Sequence, residues 1–357
     1  MATVAASDAE PATGATYPAV TRLDSLDLLR GLCALAVAVF HYHSWGGLQF
    51  PSAFEGFLAI CGTYGVSVFF VLSGFSLAHG YGDRFGDMVT ASALLRYGRR
   101  RVGRLAPLFM AVVLASLAGK LLSGKDVPDI YAIAANLTLV FGFIDPAQTP
   151  VIGGWSIGVE VVFYVVFPIL LLLRQHMKIV VTFSIFLTAW TSSRLGGLET
   201  LEQGWRLYVG PANHLVFFAT GAFAALKLRD RAPIKDIVGL ALVAAILLVV
   251  VLLSIGVDEL AAVTGLRRLA LVPLSILLVI ATSRIRIGRL SLIASLSGGA
   301  SYPLYLIHPL FFFLAARLLP ANSIFFSLIL LGAIIVAVLI DYMIDKPLQR
   351  RIKAAGW

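Results

Sequence analysis

Residues 26 to 41 read Leu26-Asp27-Leu28-Leu29-Arg30-Gly31-Leu32-Cys33-Ala34-Leu35-Ala36-Val37-Ala38-Val39-Phe40-His41. An acid and an arginine stand together near the start, ten uncharged residues follow, and a histidine closes the stretch. At about 1.5 Å per helical residue, His41 lies about 16 Å beyond Arg30. A spanning helix needs about 20 mainly apolar residues, so an arginine at headgroup level puts His41 near the middle of the bilayer or past it. An ionisable group at that depth is costly and is by default a functional hypothesis.

The rest of the chain repeats the pattern. Of its 357 residues, 59% are hydrophobic and 13% charged, and the mean hydropathy is +0.91, beyond what a water-soluble core absorbs. Ten segments qualify as spans, near 27–45, 57–79, 104–123, 154–174, 178–193, 212–228, 236–255, 268–283, 300–318 and 323–343. An eleventh apolar stretch, 131–143, is short enough to re-enter or lie at the interface rather than cross.

The net charge of +9 comes from cations set between apolar runs, not on one face of a soluble domain. That excludes a nucleic-acid partner and makes the cations topology signals. With the amino terminus inside and 131–143 not crossing, 21 of the 28 Lys and Arg fall on the cytoplasmic side, Arg84 and Arg231 among them. Only Lys120, Lys125, Arg194, Arg206, Arg267, Arg268 and Arg317 lie outside. The expected fold is therefore an all-α polytopic membrane protein of about ten spans, both termini cytoplasmic. Residues 1–20 are rich in Ala, Thr, Ser and Pro, without Lys or Arg, and predict a disordered cytoplasmic tail over 1–22. A second short tail is expected over 352–357. Cys33 and Cys61 lack metal-ligand spacing and read as packing residues, and no metal site is expected.

Four places carry chemistry. His41 can take a proton near neutral pH, as a general base must, or can be a structural histidine bonded to another helix; His43, two residues on, faces elsewhere and reads as structural. Arg96, Arg99, Arg100, Arg101 and Arg104 crowd the loop before the third span. Such density is topology charge, contact with anionic lipid, or a phosphate-binding mouth. In the fourth span, Trp155-Ser156 precedes Glu160 and Tyr164, and the spacing i, i+4, i+8 puts Ser156, Glu160 and Tyr164 on one face. Glu160 starts at the non-cytoplasmic end and is either functional or a helix–helix hydrogen-bonding group. The ninth span holds Ser301-Tyr302-Pro303-Leu304-Tyr305-Leu306-Ile307-His308-Pro309, with a second histidine at membrane depth and a proline able to kink the helix and free carbonyls.

Taken in order, these pieces resemble the integral-membrane Acyltransferase family 3, which includes O-acetyltransferases of O-antigens, exopolysaccharides and nodulation factors. The matching residues are Arg30 and His41 with Asp27, Gly65-Val66-Ser67-Val68-Phe69-Phe70-Val71-Leu72-Ser73-Gly74-Phe75, Arg101 with Arg104, Trp155-Ser156 with Glu160, and Ser301-Tyr302 through His308-Pro309. Two pieces depart: Val161 follows Glu160 where the family commonly has a second acid, and Asp345-Lys346-Pro347 replaces Glu-Arg-Pro.

The resemblance implies a transmembrane acyltransferase domain over 23–351, in the form without a periplasmic esterase-like domain, in the bacterial inner membrane. It implies an acyl-CoA donor, chiefly acetyl-CoA, as cosubstrate and a carbohydrate or glycolipid acceptor. By that carry-over His41, Arg30 and Glu160 are the catalytic candidates, His41 as base or as transient acyl carrier. Arg100, Arg101 and Arg104 hold the donor, and Trp155, Ser156, Tyr305, His308 and Ser73 meet the acceptor. A proton-coupled transporter and a polysaccharide-export scaffold are the rivals, and oligomeric state, including a homo-oligomer, stays open.

Overall fold

A computed structural model describes residues 23–46, 50–51, 54–82, 90–229, 234–317 and 323–354; the expected 1–22 tail and the cations Arg84 and Arg231 lie outside these. The described residues form helices and no strand: α1 (Asp24–Ser44), α2 (Glu55–Tyr81), α3 (Ala91–Leu122), α4 (Ile130–Leu137), α5 (Phe141–Ile144), α6 (Trp155–Leu172), α7 (Met177–Leu195), α8 (Trp205–Tyr208), α9 (Pro211–Leu228), α10 (Asp236–Leu253), α11 (Glu259–Ala262), α12 (Gly265–Ser283), α13 (Ser291–Ala315), α14 (Ser323–Ile340) and α15 (Lys346–Ala354). The chain is a polytopic all-α membrane protein. Helix α15 runs on to Ala354, so the first residues of the tail expected over 352–357 are helical.

Among the described residues, nine helices are long and apolar enough to cross a bilayer. The tenth expected span is α7, of 19 residues and so about 28 Å long. Its most apolar stretch falls short of those of the other nine, and its hydroxyls explain why: Ser184, Thr188 and Thr191 are buried, with Thr188 and Thr191 bonded to Asn213 of α9. Phe183 and Phe186 face outward. Parity makes α7 a crossing, because Leu23 at one end of the described chain and Lys346 and Ile352 at the other line one cavity. Both ends thus lie at the same end of the bundle, which needs an even number of spans. Helix α4, at eight residues, reaches only about 12 Å, so the 131–143 segment does not cross.

The bundle centres on α1 and α2, which pack on each other, on α13 and on α9. Helices α2 and α9 approach through glycine: a Cβ on Gly221 would sit 2.3 Å from the Val71 carbonyl, and one on Gly74 2.1 Å from that of Phe218. Small residues at such a crossing let backbones come close enough for dispersion to hold them where no hydrophobic force acts between helices. Arg268, read from sequence as an outer loop cation, is instead 1% exposed. It enters with the first turn of α12 and donates to the Asn213 side-chain and backbone oxygens at 3.0 and 3.3 Å, joining α12 to α9.

Candidate active site

Three cavities follow one another along the bundle. The inner one, about 560 Å³, is lined by Arg30, His79, Tyr81, Arg100, Arg101, Arg104, Asp341 and Lys346 among others. A neck of about 70 Å³ shares Arg30, Arg101, Arg104 and Tyr302 with it and adds Ser73, Ser156, Glu160, Tyr164, Ser301 and Tyr305. The outer cavity, about 1010 Å³, shares Val66 and Tyr305 with the neck and holds His41, Phe40, Trp155, Trp205, Tyr208 and Glu259.

The arginine cluster is placed by the start of α3, where the Thr90 side chain accepts from the Ala93 N–H and so satisfies one of the unpaired donors of the first turn. The helix is 32 residues long, about 48 Å, more than the hydrocarbon core requires. Its arginine-bearing turns can therefore extend beyond the core. Arg96 and Arg99 are exposed while Arg100, Arg101 and Arg104 are half-buried and line the inner cavity. Arg101 donates to the Tyr81 hydroxyl at 3.1 Å, lies 5.4 to 5.8 Å from the ring centres of Tyr81, Tyr97 and Tyr164, and keeps a buried Nε with no partner among the described residues. Arg30 pairs with Asp27 at 2.6 Å and donates to Ser76 Oγ at 2.5 Å, which fixes its planar fork at the border of inner cavity and neck.

In the neck, Glu160 accepts from Ser73 Oγ at 3.0 Å and from the Tyr164 hydroxyl at 2.6 Å. Ser156 Oγ, the Tyr305 hydroxyl and the Gly153 carbonyl lie within 3.0 Å of one another. Gly153 is required there: its φ is +77°, and a Cβ would stand 2.9 Å from the Tyr305 hydroxyl. In the outer cavity, Trp155 meets Trp205 and Tyr208 with ring centres 6.1 and 5.7 Å apart, an aromatic wall of the kind that offers broad flat contact. Burial, then the neighbouring Asp258, raises the Glu259 carboxyl above its ordinary pKa.

His41 sits against this cavity with its Nδ1 2.9 Å from Nε2 of His308. The Nδ1 of His308 is 3.0 Å from the Leu304 carbonyl, and its own carbonyl accepts from the Tyr42 hydroxyl at 3.0 Å. The Trp45 ring stacks within 10° and 11° of the two imidazoles.

The helices thus bring Arg30, Arg101, Arg104, Ser73, Ser156, Glu160 and Tyr305 to the neck and its borders, with His41 and Trp155 beyond it. Two placements differ from expectation. Glu160, expected where an acceptor arrives, lines the neck and not the outer cavity, because α6 begins only at Trp155 and Glu160 lies more than a turn further along it. His308, expected at the acceptor, is fully buried behind His41 and lines none of the three cavities. Sequence reasoning missed Tyr81, Tyr97, Trp205 and Tyr208. The Trp205-x-x-Tyr208 pair just before a span was the one usable signal, since aromatics gather at interfaces.

The family model for the Acyltransferase domain matches residues 23–342. "Acyltransferase MdmB" of Streptomyces mycarofaciens is 34% identical over 168 residues, 43% of this chain and 40% of that protein. "Exopolysaccharide production protein ExoZ" of Rhizobium meliloti (strain 1021) is 28% identical over 313 residues, covering 82% and 91% of the two chains. No solved structure matches.

Proposed function

The chain belongs to the Acyltransferase domain family, and on that premise we propose that it moves an acyl group, chiefly acetyl, from cytoplasmic acyl-CoA to a hydroxyl of a polysaccharide or glycolipid across the bacterial inner membrane. One observation carries the reading: a cation-lined inner cavity and a histidine-bearing outer cavity joined by a neck of about 70 Å³. Pockets that enclose whole small molecules run to about 300–1,000 Å³. A neck this narrow suits a slender pantetheine arm and does not suit passage of a sugar, which favours transfer over transport.

The donor's phosphates lie among Arg100, Arg101 and Arg104, where guanidinium forks bind phosphate in pairs of hydrogen bonds. The arm threads past Arg30 and Glu160, and the acceptor lies against Trp155, Trp205 and Tyr208. His41 removes the hydroxyl proton as the oxygen attacks the thioester carbon, the carbon–sulfur bond breaks, and the proton passes to the leaving thiolate. The cytoplasmic assignment of the inner end rests on the charge bias of the loops.

His41→Ala tests the reading. We expect acyl esters on the surface glycans of producing cells, quantified by mass spectrometry, to fall by about 100- to 10,000-fold, the usual worth of general-base help, while the purified variant still binds acetyl-CoA in calorimetry. Parent-level acylation by a well-produced His41→Ala chain removes His41 from the chemistry.

A further inference from the structure

The hydrogen bonds around His308 fix a direction. A carbonyl oxygen only accepts, so the 3.0 Å contact to Leu304 requires the proton on Nδ1 of His308. The ring is fully buried, and its polar partners among the described residues are the backbone at Leu304 and Tyr305 and another imidazole, with no carboxylate beside it. A positive charge there has no partner and is strongly disfavoured, so the ring is neutral. Its Nε2 then carries a lone pair. The 2.9 Å contact between Nε2 of His308 and Nδ1 of His41 therefore has His41 as donor. In a neutral imidazole one nitrogen donates and the other accepts, which leaves Nε2 of His41 unprotonated. Among the described residues that nitrogen has no protein partner, and the ring lines the outer cavity.

We propose that His308 is the positioning residue that locks His41 in its Nδ1–H tautomer, so that the basic Nε2 faces the acceptor hydroxyl. The surroundings hold both rings to that geometry. Tyr42 pins the His308 backbone, and Trp45 stacks across both imidazoles. During transfer the hydroxyl proton moves to Nε2 of His41, and the resulting imidazolium keeps donating Nδ1–H to His308 until Nε2 returns its proton to the thiolate. His308 neither gains nor loses a proton. A buried group that orients an imidazole and fixes its tautomer without itself titrating is a known division of labour, here performed by a second histidine.

This inference rests on the proposed role of His41, but its first test does not. In the full chain in lipid nanodiscs, labelled with ¹⁵N-histidine, the His41 signals are identified by their loss in His41→Gln. We expect a protonated Nδ1 and an unprotonated Nε2. Finding the Nε2–H form in the parent overturns the proposal, whatever the activity. His308→Leu removes the acceptor and should shift His41 towards Nε2–H, with glycan acylation falling on the order of 10- to 100-fold, as when the partner that orients a ligating histidine is lost, and acetyl-CoA affinity unchanged. His308→Gln, whose amide oxygen can accept in place of Nε2, should recover most of that loss. Equal loss in the Gln and Leu variants overturns the positioning role. If the Leu variant does not fold, the parent tautomer and the Gln variant still decide. A parent in the expected tautomer whose His41→Ala variant acylates normally would leave the tautomer lock standing and sink only the catalytic reading.

Discussion

Arg101 has no carboxylate bonded to it among the described residues. Three tyrosine rings surround its guanidinium, each an attraction of about 0.5–2 kcal/mol depending on desolvation, and its Nε is buried without a partner among those residues. A cation held by ring faces rather than by an acid keeps its charge available to an incoming anion. Replacing Arg101 and Arg104 together with Ala should therefore weaken acetyl-CoA binding by about 1.5–3 kcal/mol for each charge-assisted hydrogen bond to phosphate that disappears, measured by calorimetry on protein that still inserts and purifies. Unchanged affinity returns the cluster to a plain topology role. Density alone marked these residues in the sequence, but not which arginines turn inward. That follows from the helical phase of α3: at 100° per residue, Arg100, Arg101 and Arg104 share about 100° of arc while Arg96 and Arg99 fall outside it. His41 was legible from its spacing to Arg30. Its pairing with His308 was not, because a hydrogen bond between residues 267 apart in sequence leaves no local trace.

Helices α2 and α9 meet backbone to backbone at Gly74 and Gly221, and α2 carries Ser73 and Ser76 to the neck on the same turns. Gly221→Leu should drive four extra carbons into the Val71 carbonyl. Overpacking of this kind typically costs about 1–3 kcal/mol or more, read as a lower thermal midpoint in detergent and as reduced acylation, since the neck is built on that crossing. An unchanged midpoint means the helices do not pack as closely as described. Apolar length alone made the spans legible, α7 included. What the sequence did not disclose was the direction each polar side chain takes. The α7 hydroxyls and Arg268 are spread among apolar residues with no period strong enough to separate an inward face from an outward one, because lipid and protein interior are equally apolar. Helix α3 was also longer than the 104–123 span read from hydropathy, since its arginines interrupt the apolar signal without interrupting the helix.

At the scale of the whole molecule, both described ends meet at one cavity, and the excess of cations lies at that end. With Cys33 and Cys61 replaced by Ala, single cysteines at Gln175 and Glu199 flank α7 and should react with an impermeant maleimide from opposite faces. Glu199→Cys should label in intact cells and Gln175→Cys only after permeabilisation. Labelling of both from one face removes α7 as a crossing, and the reverse pattern inverts the orientation. The neck also has an electrical consequence. Were the two wide cavities filled with solution, most of the membrane voltage would fall across this short constriction, where each elementary charge moved corresponds to about 2.3 kcal/mol per 100 mV. Donor phosphates held at the arginine end, as proposed, would not enter that field drop. On the proposed function the acyl group enters the neck as part of a neutral thioester, and the hydroxyl proton leaves on the neutral thiol, so no net charge would cross the constriction. Such an exchange would neither draw on the membrane potential nor dissipate it.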